Sequence, residues 1–144
     1  METEFHKKVE EIFRKDPRYK MEAYEFLMQA LFFTQNRLKR QGHVAGKELL
    51  EGVKEYGVEQ FGLLAQTVFE QWGVKKTEDF GEIVFNLVDA GLLKKTEEDS
   101  IEDFKGVYEF KETFAEEYKR KFLEEIKRGL DIPDDSEKKD DKKV

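Results

Sequence analysis

The sequence predicts a mainly α fold with a small β-hairpin: a winged-helix-like core of order α-α-α-β-β, plus flanking N- and C-terminal helices. Three observations carry this expectation. Apolar residues recur at helical spacing along most of the chain. The segment Thr77–Ala90 has a threonine at its start, acidic residues in its first turn and a glycine just past its end. After it, Val107-Tyr108-Glu109-Phe110-Lys111 alternates with period two, as a half-buried strand does.

The elements follow in order. Phe5, Val9, Ile12 and Phe13 share one helical face and predict a first helix to about Arg14. Asp16-Pro17 ends it, because the residue before a proline is pushed out of the helical region. A second helix is expected from Met21 to Arg40, with Tyr24, Leu27, Leu31 and Leu38 as its stripe, Phe32 widening it, and Gly42 as its stop.

The winged core is then expected to hold Ala45–Gly57, Leu63–Trp72 and Thr77–Ala90 as its three helices. The first of these reads on to Phe61, with Leu49, Leu50, Val53 and Tyr56 inward. Its two glycines, Gly52 and Gly57, weaken it by about 1 kcal/mol each relative to alanine, so one of them should mark a close helix approach or an end. Leu64, Val68 and Trp72 are expected inward on the second, and Phe80, Ile83, Val84, Leu87 and Val88 on the third. Leu92–Phe110 is expected to form the wing, two strands around a charged loop. A last amphipathic helix spans Glu112–Arg128, with Phe114, Tyr118, Phe122 and Ile126 inward.

Residues 1–130 read as one domain, and 131–144, almost wholly Asp, Lys, Glu and Ser, as a disordered charged tail. The chain has 144 residues, enough for a core without staples, and 13 phenylalanines to fill it. Charged residues make up 41 %, interleaved with apolar ones, which describes solvated helix faces. The Lys- and Glu-rich, cysteine-free balance also fits a thermophile. The N-terminal residues lack a hydrophobic signal core and no apolar run reaches bilayer length, so a cytoplasmic location and no membrane contact are expected.

Absent cysteine excludes disulfides, Cys-zinc sites and thiol catalysis. His6 and His43 are the only histidines and have no metal-ligand spacing, and the only serine of the folded part, Ser100, has no nucleophile motif. No catalytic residue, cofactor or metal is therefore expected. An enzyme would need a deep cleft that places His43 beside carboxylates.

Binding is the remaining class. As a recognition helix, Thr77–Ala90 would present Glu78, Asp79, Glu82, Asn86 and Asp89, and its carboxylates repel phosphate. Asn86 alone could read adenine. Nucleic acid is thus a disfavoured partner, with Lys75, Lys76, Lys94 and Lys95 as its candidate contacts. The basic turn Arg37–Lys47 is a further candidate for phosphate or RNA, through Arg37, Arg40, His43 and Lys47 at a helix start. An unidentified protein partner is the favoured expectation, with Arg18, Tyr19, Arg40, His43, Glu82 and Asn86 as candidate surface residues.

From Asp16 to Phe114 the chain resembles a family of small bacterial proteins of uncharacterised function. The resemblance rests on Asp16-Pro17-Arg18-Tyr19, Gly42-His43-Val44 and above all Thr77-Glu78-Asp79-Phe80-Gly81-Glu82-Ile83-Val84-Phe85-Asn86-Leu87-Val88. Lys20-Met21 departs from the proline-bearing form of that first segment. The resemblance implies a bacterial, intracellular, stand-alone domain and assigns no functional residue.

Overall fold

The structure, a computed structural model, describes residues 3–130. Residues 131–144, read above as a disordered tail, lie outside the described residues. Six α-helices run in order: α1 Glu4–Lys15, α2 Met21–Leu38, α3 Gly46–Phe61, α4 Ala65–Gln71, α5 Thr77–Asp89 and α6 Phe110–Gly129. Short 3-10 turns at Gly62–Leu64 and Ile101–Phe104 complete the described residues, which contain no strand.

The winged-helix core with its β-hairpin is therefore overturned. Leu92–Phe110 folds as a loop, a 3-10 turn and the first residue of α6. Its backbone groups find partners in tight turns and on side chains instead of on a second strand. Thr96 N–H donates to Asp99 Oδ2 at 2.7 Å and Ser100 N–H to Asp103 Oδ2 at 3.1 Å. The buried Thr77 hydroxyl donates to the Phe104 carbonyl at 2.7 Å and accepts from Val107 N–H at 3.2 Å. The alternation at 107–110 arises differently. Tyr108 turns in to donate to the Leu50 carbonyl at 2.7 Å, and Phe110 joins the aromatic core against Phe80 and Phe114.

The core gathers along α2, α3 and α5. Ala23, Tyr24, Leu27, Leu50, Val53, Phe80, Ile83 and Leu87 are fully buried there. The centre is Phe69, whose ring meets Phe26, Phe80 and Phe114 at centroid distances of 5.0, 5.4 and 5.4 Å, largely edge to face. Where one of the two α3 glycines was expected to mark a close approach, both do. A Cβ at Gly52 would overlap the Thr34 hydroxyl, and one at Gly57 would lie 2.8 Å from Phe69 Cζ, so α2 and α4 approach α3 at these bare positions. Gly73 ends the α4 turn at φ 93°, where a side chain would also strike the Arg18 carbonyl.

Several inward assignments move. Phe69 and Ala65, not Leu64, are the buried residues of the fourth helix, because the 3-10 turn at Gly62–Leu64 shifts its phase. Phe13 and Phe32 stand outside the core. Helix α2 stops at Leu38, ahead of Gly42, on a left-handed Lys39 with φ 54°. In α6, burial ends at Glu117, and Phe122 and Ile126 emerge into solvent. No helix is long and apolar enough to cross a membrane among the described residues.

Candidate functional site

Helix α5 organises the candidate residues because it presents three faces. Phe80, Ile83 and Leu87 point into the core. Glu82 and Asn86, one turn apart, form a polar face toward the α1–α2 turn. Val84, Phe85 and Val88 form a half-buried apolar face on another side.

The polar face is a connected network. Arg18 clasps Asp16 through Nε and Nη2, both at 2.7 Å, and Nη2 also reaches Glu82 Oε1 at 3.1 Å. Asn86 Nδ2 donates to Asp16 Oδ2 at 3.0 Å and to the Tyr24 hydroxyl at 3.1 Å, which uses both amide hydrogens. Tyr19 donates to Asp79 Oδ1 at 2.6 Å, while Asp79 Oδ2 accepts from the Lys75 and Lys76 amides and so caps α5. The Arg18 hydrogen bonds hold the Asp16 carboxyl far below the usual carboxylate range against an opposing effect of burial, and Asn86 helps. Burial, reinforced by the Asp79 acceptor, pushes the Tyr19 phenol well above its ordinary range. Three of the candidate residues, Arg18, Glu82 and Asn86, thus meet in one network around Asp16, and Tyr19, whose ring lies 5.1 Å from the Arg18 guanidinium, adds a second tie from the α1–α2 turn to α5 through Asp79.

The basic turn is largely neutralised from within. Arg37 pairs with Glu55. Arg40 grips Glu48 at two points, 2.7 and 3.0 Å, and Glu48 Oε1 accepts from Ala45 N–H at 2.9 Å. The Arg40 contact, then the Ala45 amide, hold the Glu48 carboxyl below its usual range. The anion at the start of α3 is thus the chain's own. Lys47 is exposed on the first turn of α3 and forms no ion pair among the described residues. The turn and the polar network do not join. The cations considered for nucleic acid divide too: Lys75 and Lys76 precede α5, whereas Lys94 and Lys95 follow it.

Between these regions lies a groove of about 470 Å³. Its apolar floor comes from Leu31 of α2, Leu49 of α3, Val84, Phe85 and Val88 of α5, and Leu93. Phe104 closes one wall, and two glycines admit its ring. A Cβ at Gly46 would stand 3.0 Å from Phe104 Cε1, and one at Gly81 only 2.8 Å from Phe104 Cβ. His43, Lys94, Lys95 and Asp99 line the groove's polar margin.

His43 Nε2 lies 3.1 Å from Asp99 Oδ1, so the cleft does place this histidine beside a carboxylate. The His43 side chain is 42 % exposed, and the second oxygen of Asp99 accepts from Thr96 N–H. Asp103 is likewise committed to Ser100 N–H. Among the described residues, no group of three or more His, Asp or Glu could hold a metal ion. Lys94 and Lys95 form no ion pair among the described residues; Lys95 Nζ reaches only the Thr96 carbonyl, at 3.3 Å.

Sequence reasoning missed Asp16 as the hub of the network, Asp99 as the partner of His43, and Phe85 with Leu93 as groove residues. One signal was available. From Phe80 to Val88 the apolar residues cover more of the helix circumference than one core face needs, which implies a second covered face. The partners of Asp16 and His43 lie far along the chain and leave no local pattern. No protein-family model, curated protein or solved structure matches the chain.

Proposed function

We propose that this protein is an interaction module that seats an apolar segment of a partner protein in the groove between α2, α3, α5 and the 93–104 loop. The observation that supports this reading is the pairing of an apolar floor with two lysines that form no ion pair among the described residues. Leu31, Val84, Phe85, Val88 and Leu93 offer aliphatic and aromatic contact, as the centre of a binding site does. Lys94 and Lys95 stand at its margin, whereas the carboxylates there are bonded to His43 and to loop amides. The complementary segment is apolar side chains flanked by Asp or Glu. Phosphate backbones are a poorer fit, because Arg37 and Arg40 already hold Glu55 and Glu48.

The test is selection of displayed random peptides on the immobilised protein, with methyl NMR of the selected complex. Selected peptides should be apolar with acidic neighbours and should shift Leu31, Val84, Val88 and Leu93. Val88→Asp, half-buried at the groove, should abolish binding while the protein stays folded by circular dichroism. The reading is wrong if no peptide is enriched, or if the enriched peptides bind Val88→Asp as well as the unchanged chain.

A further inference from the structure

The groove suits apolar side chains flanked by acids, and the chain itself carries one such stretch. After Leu130, the last described residue, the sequence continues Asp131-Ile132-Pro133-Asp134-Asp135. The apolar side chains of residues 131–144 are Ile132, Pro133 and Val144, so Ile132-Pro133 is a short apolar unit between aspartates.

We infer that the groove of one copy seats residues 130–135 of a second copy of the chain. This occupant presupposes that the groove is a peptide seat. Three observations argue for it. The first is chemistry. Val84, Phe85, Val88 and Leu93 on the groove floor match Leu130, Ile132 and Pro133 in character. Leu130 is 64 % exposed. Proline has no N–H, so the segment brings one backbone donor fewer into an apolar site.

The second is charge. Asp131, Asp134 and Asp135 flank the apolar pair. Lys94 and Lys95, exposed at the groove margin, form no ion pair among the described residues. The margin's own carboxylates are engaged, Asp99 by His43 and Thr96 N–H and Asp103 by Ser100 N–H. Glu97 and Glu98 are exposed in the same loop but do not line the groove.

The third is reach, which decides between the chain's own groove and that of another copy. Tyr108, just before α6, donates to the Leu50 carbonyl near the start of α3, where Gly46 and Leu49 line the groove. Tyr118 lies against Gly62, just past the end of α3, where a Cβ would stand 3.8 Å from its ring. Helix α6 therefore runs along α3 and away from the groove. At helical rise, Leu50 to Gly62 spans about 18 Å and Tyr118 to Leu130 about as much again, which puts Leu130 ~35 Å from the groove. Ile132 is two residues further on, and an extended chain returns only ~7 Å in that span. The segment cannot enter its own groove, whereas a second copy has no such limit. Groove and segment are different surfaces, so the contact is heterologous and either closes by exchange or runs on to further copies.

Analytical ultracentrifugation of the full chain should show a mass that rises reversibly with concentration. Ile132→Asp in the segment and Val88→Asp in the groove should each weaken association at least tenfold. Mixed together, these two variants should form heterodimers, because one keeps an intact groove and the other an intact segment. Lys94→Glu with Lys95→Glu should weaken association as well, and adding Asp134→Lys and Asp135→Lys should restore it. The chain has no cysteine, so Ser136→Cys takes a single nitroxide label. Labelled chain mixed with isotope-labelled, unmodified chain should broaden the Val84, Val88 and Leu93 methyl signals. A monomer at every concentration, or association indifferent to Ile132→Asp, overturns the inference. So does the same broadening within single labelled molecules diluted below association, which would place the segment in its own groove. Selected peptides that bind through Val88 to a chain that stays monomeric would leave the groove a peptide seat with another occupant, overturning the inference but not the proposed function. A monomeric chain that enriches no peptide would remove both.

Discussion

Two faces of α5 carry the candidate residues, and they have opposite characters. Toward the α1–α2 turn, Asp16, Arg18, Glu82 and Asn86 bond to one another and to Tyr24. Toward α2 and α3, Val84, Phe85 and Val88 line a groove whose flanking lysines have no ion-pair partner among the described residues. The difference teaches how to separate a structural polar cluster from a binding surface. A network whose donors are matched to its acceptors has little left for a ligand, and removing a member leaves others unsatisfied. A half-covered apolar floor beside lysines that form no ion pair among the described residues keeps its contacts for a ligand. The two faces therefore make different predictions: changes in the network should cost stability, and changes at the groove margin should cost binding.

The largest effect is expected at the wall the groove shares with the core. Phe104→Ala should destabilise by about 3–5 kcal/mol, because it empties the space between Gly46 and Gly81. Urea unfolding would measure it. A loss below 1 kcal/mol would mean that the 101–104 turn merely lies on the surface. Asp16→Ala should cost about 1.5–3 kcal/mol, the value of charge-assisted hydrogen bonds, since it strands Arg18 and Asn86. An equal loss from His43→Gln would erase the distinction between the two faces.

The pH response sharpens the same contrast. The folded-state pKa of Asp16 is depressed, so its contribution is complete above the ordinary carboxylate range and is lost as pH falls through the folded value. Asp16→Asn should flatten the acid limb of the stability curve. Tyr19, Tyr24 and Tyr108 have raised phenol pKa values, chiefly through burial. Their contribution is complete below the ordinary phenol value of about 10 and declines as pH rises through the folded values. In a chain with Tyr56 and Tyr118 replaced by Phe, alkaline unfolding should therefore coincide with tyrosinate absorbance, in one cooperative transition. Gradual tyrosinate formation in a still-folded protein would show that these phenols reach water.

The smallest stability effects belong to the groove margin. Lys94→Glu and Lys95→Glu should each change stability by less than about 0.5 kcal/mol, as exposed substitutions do. Together they should weaken binding of acid-flanked apolar peptides at least tenfold, measured by fluorescence anisotropy. Unchanged affinity would remove the lysines from the proposed recognition.

Much of the helical framework was legible in the sequence. The α3 boundaries, the break at Pro17 and the acidic first turn of α5 all follow from spacing, proline sterics and capping, which are local effects. The candidate site was legible only in part. Arg18, Glu82 and Asn86 carry no sign that they meet around Asp16, because Asp16 and Asn86 stand seventy positions apart. His43 likewise gives no hint of Asp99.

The segment Leu92–Phe110 marks the boundary between the two kinds of information. Its period-two alternation, taken alone, describes a strand. A strand also needs a neighbour for its amides and carbonyls, and in the fold those groups turn to Thr77, Asp99 and Asp103 while Phe104 drops between two glycines. By itself the sequence determined where helices form and which faces are apolar, since both depend on residues a few positions apart. Only the tertiary structure decided that this loop is helical in its turns, that one face of α5 is locked and another open, and that the stripe of α6 outruns the core. Each of those depends on which distant side chain arrives to satisfy a polar group or cover an apolar one.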